Sequence, residues 1–253
     1  MANRTSYGRR KPPVGALLNR SHPLARGLVA RWLFNEQGGT RLNDISGRGK
    51  HGTLTNGPVW NNQALLFDGA NDYVSLPSVA PGSVFTISAW VYSSPPSPLN
   101  DTYSVLITQD TTQGLFYHDV SKKLTYYQSG DHFNNTAITD NVWTHVMVTY
   151  NAGNGKFYRN GLPDGTFTVS AASPTFTHMG DDPSSETFKG SIDDVRIYNR
   201  ELSSKEAYEL FVSPYCDMLM PRRRMMNHST STIATIANSL GWMLMLDEQQ
   251  AMP

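Results

Sequence analysis

A single cysteine, Cys216, occurs in the 253 residues, so no disulfide can form within the chain, which is compatible with folding in a reducing compartment. No His or Lys stands beside Cys216 to lower its thiol pKa, which makes it a packing residue rather than a nucleophile. Net charge is also missing. The 21 basic and 21 acidic residues balance, which excludes a global attraction to nucleic acid or anionic membrane. Long apolar runs are missing too. Val14–Leu18 falls below the ~7–15 residues of a signal-peptide core, and Leu240–Leu246, interrupted by Gly241, falls short of the ~20 residues of a membrane span. The sequence therefore predicts neither a secretion signal nor a spanning helix. It has no phosphate-binding loop and no H-E-x-x-H motif, and one cysteine excludes a multi-cysteine zinc site. The glycine-rich Gly47–Gly52 stretch lacks dinucleotide spacing and reads as a loop.

What is present, from Leu28 to about Tyr198, is a repeated rhythm of short β-branched, aromatic and aliphatic runs. Gly, Pro, Asn and Asp clusters separate them. The runs predict strands at Leu28–Phe34, Ala64–Phe67, Tyr73–Leu76, Phe85–Tyr92, Ser104–Thr108, Leu115–His118, Leu124–Gln128, Trp143–Tyr150, Lys156–Arg159, Thr166–Val169 and Asp194–Tyr198. Phe85, Ile87, Ala89 and Val91 alternate with Thr86, Ser88, Trp90 and Tyr92, so one face is apolar and the other still carries two aromatics, either buried or lining a concave surface. Val146, Val148 and Tyr150 likewise share a face opposite Trp143, His145 and Met147. Asn154-Gly155 and Asn160-Gly161 supply residues that tolerate the positive φ of tight hairpins. Helix is scarce in this core. Ser203 and Glu206 have capping-box spacing ahead of Ala207, Leu210 and Phe211, which predicts one helix ending near Pro214.

The ends differ in character. Residues 1–27, rich in Arg, Pro, Asn and Ser, read as an extended arm, and residues 28–213 as the β domain. Residues 214–253 hold Met218, Met220, Met225, Met226, Met243, Met245 and Met252 and read as a docking tail. Ile233, Ile236, Leu240 and Leu244 predict a tail helix over about 231–248, which docks on a partner or folds back on the sandwich. The basic clusters Arg9–Lys11 and Arg222, Arg223 and Arg224 are too small to hold nucleic acid at physiological salt. With Met225, Met226 and Trp242 they are candidates for docking on a neighbouring subunit.

Four segments together resemble the concanavalin A-like lectin/glucanase superfamily, in particular its laminin-G-like jelly rolls. They are Leu28–Glu36 with Asp44–Gly52, Leu66–Val74 with Phe85–Tyr92, Trp143–Tyr150 with Phe157–Gly161, and Phe188–Leu202. The resemblance implies an all-β, two-sheet antiparallel jelly roll. It also implies one structural calcium ion, for which Asp44, Asp193 and Asp194 are the candidate ligands; Asp193 and Asp194 cap turns or share that cation. Sugar binding by such folds uses aromatic platforms with polar neighbours, and Trp90, Tyr92, Tyr103, Tyr117, His118, Tyr126 and Tyr127 are the candidates. Glycosidases of the superfamily carry paired carboxylates, commonly as Glu-x-Asp-x-x-Glu, and this sequence has none, so no catalytic residue is assigned. The flanks, Ala16–Leu28 and Tyr208–Arg224, resemble those of laminin-G-like proteins of tailed bacteriophages. That implies a non-catalytic virion protein, present in several copies and attached by its arms to capsid or tail subunits. A carbohydrate-binding module for host or environmental glycans is the alternative, and a glycoside hydrolase a third reading.

Overall fold

Alternation of apolar and polar residues sets which side chains face inward, and the observed strands obey it. The structure, a computed structural model, describes residues 11–94, 103–109, 112–181 and 186–219. In chain order the strands are β1 (Leu17–Leu18), β2 (Leu28–Trp32), β3 (Arg41–Leu42), β4 (Gly52–Thr55), β5 (Val59–Asn61), β6 (Ala64–Asp68), β7 (Tyr73–Val79), β8 (Val84–Ser93) and β9 (Tyr103–Thr108). They continue with β10 (Gln113–His118), β11 (Lys123–Gln128), β12 (Asp131–Phe133), β13 (Thr144–Asn151), β14 (Asn154–Arg159), β15 (Leu162–Thr168), β16 (Phe176–Met179), β17 (Lys189–Tyr198) and, after helix α1 (Ser204–Val212), β18 (Met218–Leu219).

Two antiparallel sheets form a sandwich. The first runs β15-β14-β13-β8-β17-β6-β5, with β2 also paired to β17, and the second runs β12-β11-β10-β9-β16-β7-β4-β3. Between them lie Phe85, Ile87, Ala89 and Val91 of β8, Val146, Val148 and Tyr150 of β13, and Leu115, Tyr117, Leu124 and Tyr126 from the opposing sheet. Phe85 stacks on Tyr150 at 4.9 Å between ring centroids. Burying one such ring contributes about 1.5–3 kcal/mol.

The hairpins follow local chemistry, with one correction. Asn160 and Gly161 both have positive φ, +50° and +76°, and join β14 to β15 in a two-residue turn. Asn154-Gly155, expected as a turn, lies inside β14, and Ala152 and Gly153 make that turn instead. The ring of Phe167 occupies the space over Gly155 where a Cβ would stand, which accounts for the glycine in the strand.

Helix α1 starts as the sequence predicts, with Ser203 and Glu206 bonded reciprocally. Instead of one extended arm, the described part of the N-terminal segment holds the two-residue strand β1 and a short 3-10 helix at Pro23–Ala25, and it is sewn down. Leu17 and Leu18 pair with Leu219 and Met218, Leu24 is fully buried, and Lys11 is buried against Asp193. The tail helix expected over 231–248 and the docking candidates Arg222, Arg223, Arg224, Met225, Met226 and Trp242 lie outside the described residues.

Candidate functional site

The outer faces of the two sheets have different fates. On the first sheet the outer face is covered by α1 and by residues 214–218. Trp90, expected as a sugar platform, is buried there and stacks on Phe211 of α1 at 5.8 Å. Beside it Ser88 Oγ and His145 Nε2 are 2.8 Å apart. Burial holds the His145 imidazole neutral, its pKa brought down to about 3, with Arg196 adding to the fall. This Ser–His pair is sealed from solvent, and Nδ1 of His145 has no hydrogen-bond partner among the described residues. A hydrolytic relay needs both an orienting acid and access, and this pair has neither.

Asp194 is the nearby carboxylate, and it is engaged elsewhere. Its oxygens accept hydrogen bonds from Arg31 Nε at 3.1 Å and Arg196 Nη2 at 2.8 Å, and the two guanidinium groups hold it well below the usual carboxylate range against the effect of burial. Both arginines also reach Asp217 and the Pro214 carbonyl oxygen. Asp193 pairs with Lys11 at 2.5 Å. Asp44 accepts from the Arg31, Ser46 and Lys50 amides and from Ser46 Oγ, as a loop former does. The three carboxylates proposed to share one calcium ion thus have separate partners. For Asp193 and Asp194 the positive charge comes from side chains of the chain itself.

The second sheet differs. No helix or strand among the described residues packs over its outer face. Alternation turns Tyr103 of β9, Phe116 and His118 of β10, Tyr127 of β11 and Phe133 of β12 outward together. Phe116 is buried at the centre, and the other four rings are half-buried around it. The rings meet edge to face: Tyr103 with His118 at 5.2 Å, His118 with Phe133 at 5.0 Å, and Phe116 with Tyr127 at 6.3 Å. Tyr103 Oη donates to Asp131 Oδ2 at 2.5 Å. Partial burial and that carboxylate push its pKa up to about 12, so the phenol stays a neutral donor. His118 Nδ1 lies within 3.0 Å of the Ser121 amide and hydroxyl.

This arrangement divides the seven sugar-binding candidates. Tyr103, His118 and Tyr127 converge on the outer face of the second sheet, where they are half-buried. Tyr117 and Tyr126, one position out of phase with it, point into the core. Tyr92 lies on the first sheet against Trp143. Sequence reasoning missed Phe133 because β12 is only three residues long, and Phe116 because a buried outward ring leaves no mark distinct from core. It also missed Tyr73 and His178, whose rings lie 5.8 Å apart farther along the same face.

Other clusters have structural work. Asp140 accepts from Tyr117, Ser93 and Lys122, and Asp119 accepts from Ser104, which together close one end of the sandwich. His22, Glu209 and Cys216 lie close enough to share an ion. His22 Nδ1, however, accepts from the Leu24 amide and so places the neutral proton on Nε2, the atom that faces Glu209. Burial and Asp217 push the Cys216 thiol up to about 11.

A family model of the laminin-G type, described as the concanavalin A-like lectin/glucanases superfamily, matches residues 68–207. Among solved structures, domain 4 of AbnA, a GH43 extracellular arabinanase from Geobacillus stearothermophilus in complex with arabinotriose, superposes with a TM-score of 0.55 at 19% identity, covering 72% of this chain and 97% of that one. Trypanosoma rangeli sialidase in complex with sialic acid gives 0.58 at 19% identity over 75% of this chain, which spans only 33% of the sialidase. The binding domain of Paraclostridial Mosquitocidal Protein 1 gives 0.58 at 16%, over 76% of this chain and 53% of that one. At these identities the likeness is one of fold.

Proposed function

The chain belongs to the concanavalin A-like lectin/glucanases superfamily, and from that membership and the half-exposed aromatic cluster on the outer face of its second sheet we propose that it is a carbohydrate-binding module. The observation that carries the reading is the cluster of Tyr103, His118, Tyr127 and Phe133. These are half-exposed rings held by one another and by Asp131 on the sheet face over which no helix or strand among the described residues packs. Rings of this kind stack on the apolar faces of sugars, while the Asp131 carboxylate and the histidine orient hydroxyls. The rings are also preorganised, so little side-chain entropy is lost on binding. The arabinotriose held by a structural neighbour supports the same ligand class.

Binding without cleavage is part of the proposal. The carboxylates closest to strongly polar chemistry, Asp194 and Asp217, are locked to arginines, and the Ser88–His145 pair is sealed. Display on a virus particle, implied by the flank resemblance, is the setting we propose for such a binder, and mass spectrometry of purified particles tests it. Among the described residues, Ala16, Leu24 and Tyr215 of those flanks turn inward and pack on the sandwich.

A glycan array tests the function. Reproducible binding to at least one oligosaccharide class, weakened by Tyr127→Ala, is expected. An array without hits at high protein concentration would sink the reading.

A further inference from the structure

We infer that Tyr103 and Asp131 act as one specificity-determining pair, which requires the bound sugar to donate a free hydroxyl and so selects unmodified glycans over O-methylated or O-acylated ones. This rests on the glycan-binding reading above.

The two residues come from opposite sides of the aromatic cluster. Tyr103 lies on β9 and Asp131 on β12, with β10 and β11 between them. At the usual strand spacing that is about 14 Å, so the Tyr103 side chain lies along the sheet rather than standing up from it. Its ring passes Phe116 and Tyr127, each at 6.4 Å between centroids, and its hydroxyl ends on Asp131 Oδ2. Phe116 and its register neighbours Val105 and Thr125 are at most 2% exposed, so a ligand meets the ring layer and not the sheet beneath it. The pair itself is within reach, since Asp131 is exposed and Tyr103 half-buried.

A phenol has one proton to give and a carboxylate has none. Burial, the bond to Asp131 and the charges of Asp131 and Glu186 push the Tyr103 pKa up to about 12, so the proton stays on Oη and is committed to Oδ2. What the pair offers a ligand is therefore lone pairs, those left on Tyr103 Oη and those of Asp131 Oδ1, which has no partner among the described residues. Tyr127 is directly opposite Asp131, so a sugar stacked on the Tyr127 ring brings its rim hydroxyls to these acceptors. A hydroxyl donates there. An O-methyl or O-acyl group cannot, and it leaves the carboxylate covered without a partner. The imidazole and ammonium donors of this face lie elsewhere. His118 accepts from the Ser121 amide through Nδ1 and so carries its proton on Nε2. Lys123, the one Lys or Arg of β9 to β12, is opposite His118, four residues along β11 from Tyr127 and so about 13 Å away.

The experiment titrates the full chain with arabinan, xylan, glucan and galactan trisaccharides, and then with the best binder mono-O-methylated at each hydroxyl in turn. At one position or more, methylation should weaken binding about tenfold. Asp131→Asn, whose amide can donate to a methoxy oxygen, should shrink that penalty to within about threefold. The penalty is a ratio taken within one protein, so a change in folded fraction cancels from it. Asp131→Ala and Tyr103→Phe should each weaken the parent trisaccharide about tenfold, and the double change should stay within about twofold of Asp131→Ala alone, since one bond links the two residues. Methylation tolerated at every position, a penalty unchanged in Asp131→Asn, or additive losses in the double variant would each overturn the inference and leave the glycan-binding reading standing. An absence of binding to every probe would overturn both.

Discussion

The guanidinium of Arg31 donates to both carboxylate oxygens of Asp217 at 2.8 Å, joining residues 186 positions apart with both side chains buried. Through this contact, and through Arg196 beside it, residues 214–218 are held against the outer face of the first sheet. Two arginines face two aspartates, so the cluster is balanced only while all four side chains are present.

Asp217→Ala should therefore destabilise the fold by about 3–5 kcal/mol, because it leaves a buried guanidinium without compensation. Replacing both partners, as Arg31→Met with Asp217→Leu, should cost less than the sum of the single changes, since the pair leaves together. Urea unfolding measures both. Additive losses would mean that the two residues do not act as a pair.

Acid should weaken the protein before ordinary carboxylates titrate. His145 is neutral in the fold with a pKa of about 3, against about 6.5 when unfolded, so the unfolded chain takes up the proton first. Its contribution is complete above pH ~6.5 and is lost as pH falls toward 3, at roughly 1.4 kcal/mol per pH unit. Asp194 has a depressed folded pKa, so its contribution is present above the unfolded value of ~3.9 and is lost as pH drops further. His145→Gln should flatten the slope of stability against pH between about 6 and 4. An unchanged slope would assign it to another group.

The aromatic candidates should separate by face. Trp90→Ala and Tyr126→Ala remove buried rings and should cost about 3–5 kcal/mol. Tyr103→Ala and Tyr127→Ala remove half-exposed rings and should cost roughly 1 kcal/mol while abolishing most glycan affinity. Thermal melts paired with binding titrations distinguish the two groups.

Much of the sandwich was legible because period-two alternation is a local property. The run Phe85–Tyr92 lies within β8, and the core takes the residues that alternation assigns to it. Which sheet α1 packs on was not legible. Trp90 and Tyr127 look alike in sequence, and only the seating of α1 over one sheet buries the first. The ionic cluster left a faint signal, charged Arg31 and Arg196 set inside apolar strands, but pairing across 186 residues is invisible to local pattern. Asp193 and Asp194 read as ligands for a metal because a carboxylate pair near a strand looks the same whether a cation or an arginine answers it.

Calcium offers a check on that point. With Asp193 held by Lys11 and Asp194 by two arginines, saturating calcium should leave the melting temperature where a chelator leaves it. An ion at about 100 times its Kd would add about 2.7 kcal/mol, a shift large enough to see. Such a shift would place a calcium site on other ligands.

The central claim concerns a place on the molecule, and mapping the bound sugar on it is the direct test. Amide and side-chain NMR shifts recorded during titration with the best oligosaccharide from the array should move most at Tyr103, His118, Tyr127 and Phe133. They should stay still around the shallow groove of about 540 Å³ on the opposite sheet, lined by Lys156, Tyr158 and Ser204. Shifts confined to that groove, with the outer face of the second sheet silent, would contradict the account.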